Sequence, residues 1–185
     1  MSEQNNGTIR SSFWSNLFGT SSGIMDLRNT LLAIPVFKGL TGREISSVTN
    51  LMHERNYIKG EYIFYQDDPG IGMYIIREGT VEIKRAFENK ETLSLALLNK
   101  GDFFGELALI DGEKRSASAI AVDDSKLAVI FKPDLDEFVD KFPKTGTKIL
   151  QGINQVVIAR LRKLNEDIIS LQVKLKIKSE EVYGT

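Results

Sequence analysis

Apolar positions along this chain change their spacing twice. Leu27, Leu31, Leu32 and Ile34 recur at roughly helical intervals and stop at Pro35, which predicts a helix beginning near Met25. Thr41-Gly42-Arg43-Glu44 is a capping-box pattern: Thr41 can accept from a first-turn amide while Glu44 reaches back, so a second helix is predicted over about 42–52. The spacing then shortens. "EYIFYQ", "GMYIIRE", "TVEIKRAF", "TLSLALLN", "SASAIAV" and "KLAVIFK" are short runs rich in β-branched, aromatic and alternating residues. Turn signals separate them at Lys59-Gly60, Pro69-Gly70, Glu78-Gly79, Asn89-Lys90, Asp111-Gly112 and Asp123-Asp124. Closely spaced strands without long helices between them predict an antiparallel sandwich or roll. Pro133 then opens a helix, "PDLDEFVDKF", at the first-turn position that proline tolerates.

Helical periodicity returns at the end, now at 3.5 residues. Leu150, Val157, Leu164 and Leu171 fall at d, and Asn154, Leu161, Ile168 and Leu175 at a. The pattern predicts a coiled coil whose single a-position Asn sets register. Ile153, Val156 and Ile158 widen the apolar face at the start, so the early half packs on the roll and the late half needs a second chain. The competing reading is a helix packed only on its own domain. The expected fold is therefore mainly β, an antiparallel, jelly-roll-like β-roll with short N-terminal helices and a long C-terminal helix. Its expected divisions are a mobile tail over 1–24, the roll with its flanking helices over 25–143, the long helix over 144–178 and a tail over 179–185.

Composition narrows the chemistry. The chain lacks cysteine, which removes disulfides, thiolate catalysis, zinc–cysteine sites and iron–sulfur clusters. No apolar run approaches the roughly 18 residues of a membrane span, and "MSEQNNGTIRSS" has no signal-peptide character. A cytoplasmic location is expected. The net charge of −1 hides an asymmetry, for residues 144–178 carry eight Lys or Arg against Glu166 and Asp167, leaving −7 elsewhere. Such a segment reads as nucleic-acid or anionic-membrane binding, or as the solvated face of a helix, and the latter is the favoured reading. In the N-terminal tail "FWSNLF" places Phe13, Trp14, Leu17 and Phe18 on one side of a helical turn. That island would anchor on a membrane or partner, or fold back on its own domain; the second is favoured.

The densest chemistry is "FFGELALIDGEKRSASA", Phe103–Ala119. Glu106 stands in an apolar, small-residue run, and a buried carboxylate is costly unless paired. A helical turn starting at Gly105 would present free amides to an anion, and glycine permits close approach of a ligand to the backbone. Arg115 offers a rigid fork suited to phosphate or carboxylate, Ser116 adds a hydroxyl, and Ala117, Ala119 and Ala121 leave room beside the strand. Glu106 suits a hydroxyl. Two readings stay open on the residues alone: a Glu106–Arg115 ion pair bracing a hairpin, or a site for a sugar phosphate or nucleotide.

"GDFFGELALIDGEKRSASA" resembles the phosphate-binding cassette of cyclic nucleotide-binding domains, the family of the catabolite activator protein and the protein kinase A regulatory subunit. The resemblance runs from about Phe37 to Arg162 and includes "VFKGLTGREI" and the turn glycines 60, 79 and 101. It implies that Glu106 binds the ribose 2′-hydroxyl and Arg115 the cyclic phosphate. It also implies that the amides of Gly105, Leu107, Ala108 and Ala117 line the pocket, and that Ser116 reaches phosphate or purine. Arg160, Arg162 and Asn165 are the candidates for capping the base. The implied ligand is cAMP, with cGMP as the other candidate, and no further cofactor or metal is expected. The bacterial regulators carry a helix-turn-helix domain after the long helix, whereas only "SEEVYGT" follows Lys178 here. The expectation is a homodimeric sensor that signals to a partner protein through its helices and does not bind specific DNA. The alternative is a roll with a vestigial pocket that serves as a dimerisation or interaction protein. An enzyme is not expected: the single histidine, His53, falls near the end of a predicted helix and cannot supply the His pair that metal oxygenases of this shape need.

Overall fold

The computed structural model describes residues 27–88 and 91–183, and side chains through Ile177. The N-terminal tail, its "FWSNLF" island and the Asn89-Lys90 turn lie outside the described residues. Helix α1 (Leu27–Ala33) ends just before a 3-10 turn over Pro35–Phe37, as the proline requires. Helix α2 spans Gly42–Thr49, and its capping box forms: the Thr41 N–H donates to Glu44 Oε2 at 2.7 Å and the Glu44 N–H to Thr41 Oγ1 at 3.4 Å.

Eight strands follow: β1 (His53–Tyr57), β2 (Tyr62–Phe64), β3 (Gly72–Glu78), β4 (Thr80–Ala86), β5 (Thr92–Asn99), β6 (Phe103–Phe104), β7 (Ser118–Ala121) and β8 (Ser125–Phe131). They form two four-stranded antiparallel sheets, ordered β1-β8-β3-β6 and β2-β7-β4-β5. Helix α3 (Lys132–Lys141) carries proline in its first turn, and α4 runs from Pro143 to Tyr183, past Lys178 where the periodicity placed its end.

The roll has two cores. Between the sheets lie Tyr74, Ile76, Val81, Leu98, Leu127 and Val129, among others. Between the β3–β8 sheet and the helices lie Phe37, Ile45, Met73, Ile75, Ile130, Phe138 and Ile153. Strand β3 therefore buries both its faces, which is why "GMYIIRE" reads as a continuous apolar run and not as an alternation.

Two elements differ from the expectation. His53 opens strand β1 instead of ending a helix, because α2 stops at Thr49. Strand β1, "HERNY", is almost wholly exposed and polar, so it carries no apolar alternation; pairing with β8 makes it a strand. The exposed His53 Nε2 lies 2.8 Å from Asp134 Oδ2 on α3. Strand β6 is two residues long and falls below any periodicity test. Among the described residues no helix is long and apolar enough to cross a membrane.

Candidate ligand-binding site

The cassette is entered through a turn pinned to β3. Gly101 N–H donates to Ile76 O at 2.8 Å and Ile76 N–H to Asp102 O at 2.9 Å. The buried Asp102 carboxylate accepts the Asn99 N–H at 2.8 Å, and burial raises its pKa above the ordinary value despite that bond. After β6, Gly105 takes the left-handed conformation at φ 75° and starts a 3-10 turn over Glu106–Leu109. A side chain at 105 would be strained, and its Cβ would lie 2.6 Å from Arg115 Nη1.

Arg115 is held from both sides of its backbone. Its N–H donates to Asp68 O at 2.8 Å, and its carbonyl accepts the Asp67 N–H at 2.9 Å. The loop before β3 thus fixes where the side chain starts. Arg115 is 5% exposed, and its guanidinium donates to Gly72 O at 2.7 Å and Gly105 O at 3.2 Å. It lies 4.2 Å above the Phe64 ring and 5.7 Å from that of Tyr74. Among the described residues it pairs with no carboxylate, and its buried Nε has no hydrogen-bond partner. Burial depresses its pKa, yet an arginine remains a cation at neutral pH.

Glu106, at 2% exposure, does not pair with Arg115. Its Oε1 accepts from Nη1 of Arg160 on α4, whose guanidinium also lies 5.3 Å from the Phe103 ring. Burial lowers the Arg160 pKa to about 10, so it too is charged at neutral pH. The hairpin-bracing ion pair is thereby replaced by two separate cations with different partners.

These groups wall one cavity of about 420 Å³, within the range of small-molecule sites. Gly105, Glu106, Leu107, Ala108, Arg115, Ser116 and Ala117 all line it, joined by Phe64, Ile83, Leu95 and Arg160. Ala119 and Ala121 do not: they are buried on β7, with Ala119 in the inter-sheet core. Arg162 and Asn165 are exposed and outside the lining. The sequence reading offered Arg160 to a base, and the structure puts it on the carboxylate. The available signal was its place on the stripe Ile149, Ile153, Val156, Arg160, where a charge among buried residues calls for an opposite partner. The rings of Phe64 and Tyr74 under Arg115 were missed, since strand alternation says nothing about which aromatic a distant cation covers.

A two-sheet roll thus brings a buried guanidinium with no paired carboxylate and a buried carboxylate to one cavity. Residues 54–142 match the cyclic nucleotide-binding domain model, so this stretch of the chain is a domain of that family. It is 33% identical over 140 residues to a cyclic AMP receptor protein of Thermus thermophilus, covering 75% of this chain and 63% of that one. A putative potassium channel protein of Rhodopseudomonas palustris is 34% identical over 149 residues, 80% of this chain and 35% of that one. The crystal structure of a cyclic nucleotide-binding domain from Methylobacillus flagellatus superposes with a TM-score of 0.69 at 26% identity, covering 77% of this chain and 83% of that one. This chain therefore spans less than two thirds of the two relatives' lengths.

Proposed function

We propose that this chain is a cAMP-binding regulatory module that signals through its helices to a partner protein and assigns itself no reaction. The observation that carries the reading is Arg115: a cation at 5% exposure, over the Phe64 ring, with no carboxylate in ion-pair contact among the described residues. Burying such a group alone is costly, so the site favours an anion small enough to enter. A cyclic phosphate fits that demand, and the Arg115 fork serves it with directed donors. The ribose 2′-hydroxyl falls to Glu106, whose carboxylate has lone pairs beyond the one that accepts from Arg160. The amides of Gly105, Leu107, Ala108 and Ala117 and the Ser116 hydroxyl complete the contact set. The name of the Thermus relative favours cAMP over cGMP.

The assembly is a homodimer joined through residues 150–175. Leu161, Leu164, Ile168, Leu171 and Leu175 are exposed along the a/d seam, which suits a parallel two-stranded coil. Leu150 and Val157 are already half-buried against the chain's own domain, so the seam open to a partner starts later than Leu150. The +6 balance of 144–178 is then the solvated side of this helix, giving at most weak, salt-sensitive association with nucleic acid.

Calorimetric titration with cAMP, cGMP and 5′-AMP tests the proposal. Saturable binding of a cyclic nucleotide, with 5′-AMP much weaker, is expected. No binding of either cyclic nucleotide would leave the roll as an interaction scaffold.

A further inference from the structure

The end of α4 combines strand spacing with helical form. From Ile169 to Lys178 the sequence reads ISLQVKLKIK, apolar at every odd position and polar at every even one. The chain is nevertheless helical there, since α4 runs on to Tyr183. A period of two wound at 3.6 residues per turn cannot gather its apolar residues on one side. Leu171 and Leu175 continue the a/d seam of Leu161, Leu164 and Ile168. Ile169, Val173 and Ile177 follow one another four residues apart and form a second stripe, on roughly the opposite side of the helix. All eight of these side chains are exposed. A second chain on the seam leaves the second stripe bare, because the outer positions of a two-stranded coil point away from the partner helix.

Charge and shape together choose what covers it. Between Asp167 and Glu180 the charged residues are Lys174, Lys176 and Lys178, so the stripe lies in a run of positive charge. Two copies of such a face would bring like charges together, which disfavours stacking one coil on another. A flat anionic bilayer would attract the lysines, but the two outer stripes of a coil face opposite ways, and a plane meets only one of them. A separate helix with an apolar stripe and acidic flanks suits each outer stripe by itself. Its apolar side chains would seat between Ile169, Val173 and Ile177, a row spaced by four. Its carboxylates would reach Lys174 on one side of the row and Lys176 on the other.

We propose that Ile169, Val173 and Ile177 form the docking stripe for an acidic amphipathic helix of the partner protein, one per protomer. This stripe serves the partner contact proposed above and rests on that reading; from the dimer it takes only that the seam is already filled. Covering three half-exposed aliphatic side chains is a modest contact, so affinity in the micromolar range is expected.

Titration of the full chain with a synthetic helical peptide tests this. The probe has about four heptads, apolar on one face with Glu on both flanks, and its counterpart carries Lys on the flanks. Like charges keep each peptide from pairing with itself. Wild type should bind the Glu peptide at one per protomer, more weakly as salt rises, and bind the Lys peptide about tenfold less tightly or worse. An Ile169→Gln, Val173→Gln, Ile177→Gln variant should bind the Glu peptide about tenfold less tightly or worse, while its mass in light scattering and its cAMP affinity stay those of wild type. Glutamine is a better helix former than isoleucine or valine, so this loss is not a loss of helix, and circular dichroism checks it. Lys174→Glu with Lys176→Glu should reverse the preference between the two peptides. Wild-type binding of the Glu peptide by the glutamine variant, or none by wild type at about 300 µM, would overturn the proposal. A wild type of twice the glutamine variant's mass would also overturn it, by putting a second copy on the stripe. So would stripe-dependent sedimentation with phosphatidylcholine vesicles holding about one quarter phosphatidylglycerol, which would put a bilayer there. A wild-type monomer would refute the dimer alone, and absence of cAMP binding the nucleotide reading alone, because the peptide titrations need neither.

Discussion

Between Gly105 and Ala117 the chain buries Glu106 at 2% exposure and Arg115 at 5%, while between Leu161 and Ile177 it leaves eight large apolar side chains exposed. The cassette keeps charge away from water, and the distal helix keeps leucine and isoleucine in it. Each arrangement is costly for an isolated chain and stable in a complex, but the complexes differ in kind. A buried guanidinium calls for a compact anion with directed acceptors. An apolar helix stripe calls for another apolar stripe, and accepts any that fits its spacing. The first demand specifies chemistry; the second specifies only shape and period. Arg160, on the helix but bonded to the cassette, is where the two regions touch.

The strongest way to break the contrast is to remove the buried cation. Arg115→Ala should weaken cAMP binding by about 3–5 kcal/mol, or roughly two to three and a half orders of magnitude in affinity. That change also strips donors from the Gly72 and Gly105 carbonyls, so the roll itself should lose stability. Arg115→Lys separates the two effects. It keeps the charge and loses the fork, and binding should fall by about one to two orders with a smaller drop in melting temperature. Wild-type affinity in calorimetry for both variants would remove Arg115 from the site.

The second test turns the helix against its own rule. Leu164→Asp with Leu171→Asp places charges on the exposed seam, where no contact of the single chain is lost. Light scattering at tens of micromolar should then show a monomer in place of the wild-type dimer, with the circular dichroism of the roll unchanged. A wild-type monomer, with and without nucleotide, would refute the dimer instead.

How much of this was legible in the sequence follows the same division. Alternation and turn residues located six of the eight strands, because each of those buries a face. Strand β1 escaped because it buries almost nothing, and β6 because two residues have no period. The cassette was legible as a cluster, since glycine, a lone carboxylate and an arginine near small residues constrain one another within a short stretch. Its pairing was not. Whether Glu106 meets Arg115 or Arg160 depends on where a helix that starts at Pro143 lies across the roll. That placement is set by backbone contact at Gly152 and Val36, which sequence spacing does not encode.

The smallest expected effect concerns the root of α4. Its first turns are held to α2 by Glu44, whose carboxylate accepts from Lys148 Nζ at 2.8 and 2.9 Å and from Thr145 Oγ1 at 3.2 Å. The Lys148 ammonium and the Thr41 amide hold the Glu44 carboxyl at about 2, down from an ordinary 4.5. A carboxylate whose folded-state pKa is depressed stabilises the fold above its unfolded pKa and loses that contribution as pH falls toward the folded one. The difference in melting temperature between wild type and Glu44→Gln should therefore be largest above about pH 5 and shrink steadily down to about pH 2. Other carboxylates titrate in the same window, but they do so in both proteins and cancel in the difference. Because Glu44 lines no part of the cavity, the profile should be the same with and without cAMP. A difference that stays constant with pH, or grows toward acid, would mean that the Lys148 pair does not hold this turn. A profile that shifts with cAMP would couple the cavity to the root of the helix.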